Sequence, residues 1–91
     1  MIKNVKIKIF GRVQGVWFRE SAKRKAGELL VAGWVKNEPD GSVYAEAEGE
    51  EGKIGEFIEW CHKGPELAKV EKVEVEERED LEGYKNFEVR Y

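Results

Sequence analysis

The segment from Gly11 to Arg19, G-R-V-Q-G-V-W-F-R, joins a predicted strand to a predicted helix and combines glycines with an arginine. Gly11 and Gly15 allow backbone dihedral angles and close approaches that a Cβ atom would block. Backbone N–H groups at the start of a helix have no partner inside the helix, and the helix dipole is positive there, so both favour an anion. We therefore expect the segment to bind a small anion, and a phosphoryl group fits best.

Arg19 is an unusual residue for the first turn of a helix. A cation there faces the positive end of the dipole, which costs about 0.3–1 kcal/mol unless something compensates. A bound anion would compensate, because the planar guanidinium matches the oxygen geometry of a phosphate. The alternative is that Arg19 pairs with one of the many acidic side chains, and the segment alone leaves both interpretations open.

Asn37 is the second candidate, at the end of a predicted strand and directly before the turn Glu38-Pro39-Asp40-Gly41. An Asn at the entrance of a turn most often hydrogen-bonds its own backbone, and that is the alternative to a functional role. If its strand and the Gly11–Arg19 segment belong to one sheet, the amide lies near the bound anion. A neutral amide there can orient an attacking water without a titrating base.

Cys61 and His62 are the only cysteine and the only histidine, and neither is predicted to act in catalysis. Cys61 falls on the apolar face of a helix, which predicts a buried structural thiol. His62 lies near the end of that helix and has no neighbouring group to orient it. One cysteine excludes an internal disulfide framework, so we expect a reducing cytoplasm. His and Asp side chains do not cluster, so no metal and no cofactor are expected.

Apolar periodicity predicts the elements that position these residues. Strands are predicted at about 3–10, 34–37, 43–48, 70–75 and 87–91, and helices at about 17–30 and 52–63. Gly33 is expected to close the first helical region, and Gly64-Pro65 the second. The order β-α-β-β-α-β with an extra C-terminal strand predicts an α+β, ferredoxin-like sandwich: a mostly antiparallel sheet with two helices on one face.

Length and charge narrow the classes of function. We expect residues 1–91 to form a single domain. The net charge of −3 argues against a general nucleic-acid or anionic-membrane binder. We find no apolar run of about 20 residues for a membrane span, and the alternating N-terminus is unlike a secretion signal. Lys and Glu enrichment with a single Gln resembles heat-adapted proteins.

Two motifs carry a resemblance to a known family. G-R-V-Q-G-V-W-F-R, together with Asn37 inside G-W-V-K-N-E-P-D-G-S-V-Y-A-E-A-E-G (Gly33 to Gly49), closely resembles the two signatures of the acylphosphatase family. The length, the order of elements and the aromatic C-terminal strand match its small stand-alone members, so the resemblance covers essentially the whole chain. It implies an enzyme that hydrolyses the carboxyl–phosphate bond of a small-molecule acyl phosphate to a carboxylate and inorganic phosphate, without a metal.

The resemblance also implies a role for each site residue. Backbone N–H groups would hold the phosphoryl oxygens at Arg12, Val13, Gln14, Gly15 and Val16. Arg19 would bind and neutralise those oxygens, and Asn37 would position the attacking water; the Arg12 side chain receives no essential role. A carboxylic acid ionises near pKa ~4, so the carboxylate leaves without a general acid. Phosphoryl transfer then needs mainly positioning and charge stabilisation.

Two non-catalytic functions are the alternatives. Ferredoxin-like domains also bind RNA, which requires exposed aromatic side chains in basic surroundings. The outward face of residues 43–49 offers Tyr44, Glu46 and Glu48 instead, and Trp17, Trp34 and Trp60 are assigned to packing, so no nucleic acid is expected. The second alternative is a phosphate-binding or accessory module without hydrolysis, and the presence of both Arg19 and Asn37 argues against it.

Overall fold

Seven elements form the structure, a computed structural model that describes residues 1–91. The strands are β1 (Ile2–Arg12), β2 (Ala32–Asn37), β3 (Val43–Glu50), β4 (Lys69–Arg78) and β5 (Phe87–Arg90). The helices are α1 (Phe18–Leu29) and α2 (Glu51–Lys63). In the sheet the order is β4-β1-β3-β2-β5. All neighbouring strands are antiparallel except β2 and β5, which confirms the predicted ferredoxin-like, mostly antiparallel fold.

The hydrophobic core lies between the helices and one face of the sheet. Along β1 and β3, alternate side chains point inward and are buried: Val5, Ile7, Ile9, Val43, Ala45 and Ala47. The helices contribute Phe18, Ala22, Ala26, Leu29, Ile54, Phe57 and Cys61. Cys61 is 1% exposed, as predicted for a structural thiol, and its burial raises the pKa of the thiol to about 12.

The ends of α1 differ from the prediction of a helix over residues 17–30 closed by Gly33. Trp17 and Leu30 flank the helix, and both have left-handed backbone, with φ 66° and φ 58°. Leu30, the last residue of the predicted helix, lies in this left-handed turn and is 87% exposed. Gly33 lies inside β2, where a Cβ atom would come within 1.8 Å of the Glu46 carbonyl oxygen. Gly33 therefore permits strand pairing rather than ending the helix.

Part of the other face of the sheet, around Glu46 and Glu48, is covered by the segment 79–86, which connects β4 to β5. Glu46 and Glu48 are consequently only 9% and 7% exposed, so the prediction of an open acidic face was wrong. The Glu48 carboxylate accepts hydrogen bonds from Asn4 Nδ2 and from the backbone N–H groups of residues 82–84. Burial alone would raise the pKa of Glu48, but these bonds outweigh it and lower that pKa.

Candidate active site

Three strands end at one edge of the sheet, and a cleft of about 500 Å³ lies there. β1 and β2 are both antiparallel to β3, so they run in the same direction, and β5 is parallel to β2. The carboxyl ends of these strands therefore bring the predicted anion-binding segment, Asn37 and the C-terminal Tyr91 to the same place. Four predicted site residues line the cleft: Val13, Gly15, Arg19 and Asn37.

Residues 13–17 connect β1 to α1 and are rich in unpaired backbone donors. None of their N–H groups donates a hydrogen bond within the chain. The backbone is left-handed at Gly15, with φ 73°, and at Trp17, with φ 66°, while φ is negative at Val16 between them. Such an alternation is typical of the backbone concavities that bind anions. Residues 13–17 thus have the conformation expected of an anion-binding loop.

Gly11 has a different role from Gly15. β1 bulges against β4 at Gly11, where φ is 126° and a Cβ atom would lie 2.2 Å from the Lys69 carbonyl oxygen. A Cβ atom at Gly15 would meet no atom within 4 Å, so only its left-handed backbone restricts that position. Gly11 therefore shapes the strand that enters the loop, and Gly15 shapes the loop itself.

The Gln14 side chain ties the 13–17 loop to the β2–β3 turn, residues 38–42. Its Nε2 donates to the carbonyl oxygens of Glu38 at 2.8 Å and Ser42 at 2.9 Å. Asn37 directly precedes that turn, so the two bonds set the position of the loop relative to Asn37. We expected only the backbone of Gln14 to matter, and sequence reasoning missed this contact.

The Arg19 guanidinium is held by the C-terminal residues of the chain. Its Nη1 donates to the Arg90 carbonyl oxygen at 3.2 Å, and its Cζ lies 4.5 Å from the centre of the Tyr91 ring. None of the ion pairs in the chain includes Arg19. The alternative interpretation, a salt bridge to an acidic side chain, is therefore wrong for this structure. The remaining guanidinium N–H groups have no partner in the chain.

The Asn37 side chain also has no partner. Its Oδ1 is buried and accepts no hydrogen bond, so Asn37 does not bond its own backbone at the turn. Asp40 performs that task, since its carboxylate accepts bonds from the N–H and the hydroxyl of Ser42. These bonds, together with Lys8, lower the pKa of Asp40 to about 2. A buried amide oxygen without a partner, in the same cleft as Arg19, is a candidate ligand for a polar group.

Some predicted residues lie outside the cleft, and other residues line it unexpectedly. The side chains of Arg12, Gln14 and Val16 are not part of the lining, and Arg12 is exposed. The unexpected lining residues are Trp17, Phe18, Glu20, Val89 and Tyr91. Trp17 was assigned to packing but is 71% exposed. The aromatic residues of the last predicted strand were the sequence signal for the C-terminal residues of the cleft. No local pattern shows that this strand pairs in parallel with β2.

Neither helix combines the length and apolarity needed to cross a bilayer.

The fold and the cleft define a small α+β protein with a loop of unpaired backbone N–H donors at one end of the sheet. The acylphosphatase family model matches residues 5–89, and the chain belongs to the acylphosphatase family. It is 52% identical over 88 residues to the acylphosphatase of Rubrobacter xylanophilus, across 97% of this chain and 80% of that protein. The crystal structure of acylphosphatase from Bacillus subtilis superposes over the full length of both chains, with a TM-score of 0.95 and 40% identity. Membership of this family supports the hydrolysis of acyl phosphates.

Proposed function

We propose that the chain hydrolyses acyl phosphates by in-line attack of a water positioned by Asn37 on a phosphoryl group held by Arg19 and by the backbone N–H groups of residues 12–16. The observation that supports this best is the composition of one cleft. It contains a guanidinium without a carboxylate partner, a buried amide oxygen without a partner, and a loop of unpaired N–H donors. Each of these groups has unused capacity to bind an anion or a water.

Phosphoryl binding would use Arg19 and the loop together. The charged oxygens accept from the loop N–H groups, and the planar guanidinium bonds two of them at once. The contacts of Arg19 with the Arg90 carbonyl and the Tyr91 ring restrict the long side chain before the substrate arrives. Less rotamer freedom is then lost on binding.

Water activation would depend on position rather than on a base. The Asn37 Oδ1 accepts a hydrogen bond from the water and thereby directs an oxygen lone pair at phosphorus. A buried acceptor without a partner costs about 1–3 kcal/mol in the unliganded protein, which is typical of a site that is completed by its ligand. The amide stays neutral at every ordinary pH, so no titrating group governs this step.

The leaving group requires no further residue. A bond forms between the water oxygen and phosphorus, and the bond from phosphorus to the carboxylate oxygen breaks. The electron pair leaves with the carboxylate, and the protons of the water pass to the solvent and to the released phosphate. Cys61 is too deeply buried to act as a nucleophile, and burial raises its thiol pKa to about 12.

The test is phosphate release from acetyl phosphate and from p-nitrophenyl phosphate in buffer that contains a chelator. We expect hydrolysis of acetyl phosphate alone, undiminished by the chelator. Arg19→Lys should lower kcat/KM by at least about 100-fold, because lysine cannot form the two-pronged contact. The matched control Arg24→Lys, on an exposed part of α1 outside the cleft, should leave activity unchanged. Equal activity on both substrates, or loss of activity with the chelator, would refute the proposal.

A second candidate is an accessory phosphate-binding domain. The structure of full-length HypF in its phosphate- and nucleotide-bound form contains a similar region, with a TM-score of 0.88 and 32% identity over all of this chain but 12% of that one. An accessory role predicts that calorimetry detects inorganic phosphate binding while no acyl phosphate is hydrolysed. Turnover of acetyl phosphate would exclude it.

Three further properties complete the proposal. We place the protein in the cytoplasm, because its single cysteine is a free buried thiol. Residues 1–91 act as one domain. The partner is a small-molecule acyl phosphate rather than a nucleic acid or a membrane, as the net charge of −3 favours.

A further inference from the structure

The indole ring of Trp34 on β2 contacts both the segment 79–86 and β5. Its Nε1 donates a hydrogen bond to the Tyr84 hydroxyl oxygen at 3.2 Å. The Arg90 guanidinium carbon lies 4.4 Å from the centre of the same ring, within the range of a cation–π contact. Trp34 therefore connects Tyr84, in the segment 79–86, with Arg90, at the end of β5.

Tyr84 is held in place by two buried carboxylates. Its hydroxyl donates to Glu46 Oε1 at 2.7 Å, and its backbone N–H donates to Glu48 Oε2 at 3.2 Å. Burial and the bond to Glu46 raise the pKa of Tyr84, so the hydroxyl keeps its proton at neutral pH and stays the donor of that bond. Tyr84 is also the one residue of the segment 79–86 that is not exposed. Because the segment contains no helix or strand, these polar contacts set the position of the Tyr84 ring.

Arg90 extends this set of contacts to the cleft. Its carbonyl oxygen accepts the bond of 3.2 Å from Arg19 Nη1, and its guanidinium packs on Trp34. β5 is a short strand at the edge of the sheet and pairs only with β2, so contacts of its side chains also fix the position of its end. If Trp34 moves away from Arg90, the Arg90 carbonyl can shift, and the Arg19 guanidinium shifts with it.

We propose that Tyr84 is a positioning residue for the anion site, acting through Trp34 and Arg90 on the carbonyl that holds Arg19. The inference rests on the proposed binding of the phosphoryl group by Arg19 and adds residues outside the cleft to it. Side chains coupled through packing and hydrogen bonds change the affinity of a distant site by about threefold to tenfold.

The test is Tyr84→Phe, which keeps the ring and removes the bonds to Glu46 and Trp34. The dissociation constant of inorganic phosphate, measured by calorimetry, should rise about threefold to tenfold, and kcat/KM for acetyl phosphate should fall by the same factor. Tyr44→Phe is the matched control: its hydroxyl also donates to Glu46, at 3.1 Å, and its ring also packs on Trp34, but it makes no hydrogen bond to Trp34 or to the segment 79–86. Both variants should lower Tm, and Tyr44→Phe should leave phosphate affinity unchanged.

A double-mutant cycle tests the route through Arg90. Arg90→Ala removes the guanidinium from Trp34 and keeps the backbone carbonyl that Arg19 uses. In the Arg90→Ala background, Tyr84→Phe should weaken phosphate binding less than about 1.5-fold further, because the connection is already broken. A full additional threefold to tenfold loss would overturn the proposed route.

Other results would also overturn the positioning role. An unchanged phosphate dissociation constant in Tyr84→Phe, or an equal rise in Tyr44→Phe, would do so while acetyl phosphate is still hydrolysed. A protein that binds phosphate without hydrolysing acetyl phosphate would refute the proposed hydrolysis, and a rise in the dissociation constant in Tyr84→Phe alone would still support the positioning role. Absence of phosphate binding in the unmodified protein would refute both. The two failures are therefore distinguishable.

Discussion

Gln14→Met removes both hydrogen bonds between the 13–17 loop and the β2–β3 turn while keeping the length of the side chain. Each bond contributes about 0.5–1.5 kcal/mol, so the free energy of unfolding should fall by about 1–3 kcal/mol. Neither carbonyl is orphaned, because the oxygen of Glu38 still accepts from Gly41 and that of Ser42 from Glu38. For a domain of this size each kcal/mol corresponds to about 4–8 °C in Tm.

The same substitution should lower activity more than it lowers phosphate affinity. Without the tie, the loop shifts relative to Asn37, and a misplacement of about 1 Å costs about 100-fold in rate. We expect kcat for acetyl phosphate to fall between about tenfold and 100-fold. The inhibition constant of inorganic phosphate should change less than about threefold, because the loop N–H groups and Arg19 are retained.

Steady-state kinetics with acetyl phosphate and thermal unfolding measure both effects on one preparation. Asn4→Ala is the matched control, since it removes a buried hydrogen bond of 2.9 Å to Glu48 outside the cleft. It should lower Tm without lowering kcat. If Gln14→Met, like Asn4→Ala, lowers Tm without lowering kcat, the two hydrogen bonds of Gln14 only stabilise the fold. If phosphate affinity falls as far as kcat, Gln14 shapes the anion site rather than its distance from Asn37.

Three further predictions concern single contacts. Leu30→Gly should raise the free energy of unfolding by about 1 kcal/mol, measured in urea, because glycine tolerates left-handed backbone; a decrease would show that Leu30 packs usefully. The lowered pKa of Glu48 stabilises the fold above the ordinary glutamate pKa, and this stability is lost as pH falls through the lowered value. Glu48→Gln should therefore flatten the loss of stability as pH falls below the ordinary glutamate pKa, and an unaltered pH profile would contradict this. Tyr91→Ala frees the Arg19 side chain and should weaken inhibition by inorganic phosphate about threefold, whereas unchanged inhibition would show that the ring does not hold Arg19.

The fold was predictable because its signals are local and repeated. Alternation at Val5, Ile7 and Ile9 indicates a strand with one buried face, and the turn Glu38–Gly41 joins two neighbouring strands. The ends of α1 were not predictable in the same way. The spacing of apolar residues indicates which side chains share one face of a helix, but it does not show the left-handed backbone at Trp17 and Leu30.

The candidate site was predictable only where one stretch of sequence carries it. Arg19 and Asn37 stand in two motifs whose strands run in the same direction, and the structure brings them into one cleft. Tyr91 reaches the cleft through the parallel pairing of β5 with β2, which joins residues far apart in sequence. The alternation of apolar and polar residues in β3 indicated that Glu46 and Glu48 lie on the sheet face opposite the core. It did not show that the segment 79–86 covers them.

The measurement that tests the central claim most directly is the kinetic analysis of Asn37→Ala with acetyl phosphate as substrate and inorganic phosphate as inhibitor. Asn86→Ala, an exposed asparagine outside the cleft, is the matched control. If Asn37 positions the attacking water, kcat should fall by at least about 100-fold while phosphate inhibits as in the unmodified protein. Loss of phosphate inhibition in Asn37→Ala would show that Asn37 binds the phosphoryl group instead, and an unchanged kcat would remove it from the reaction.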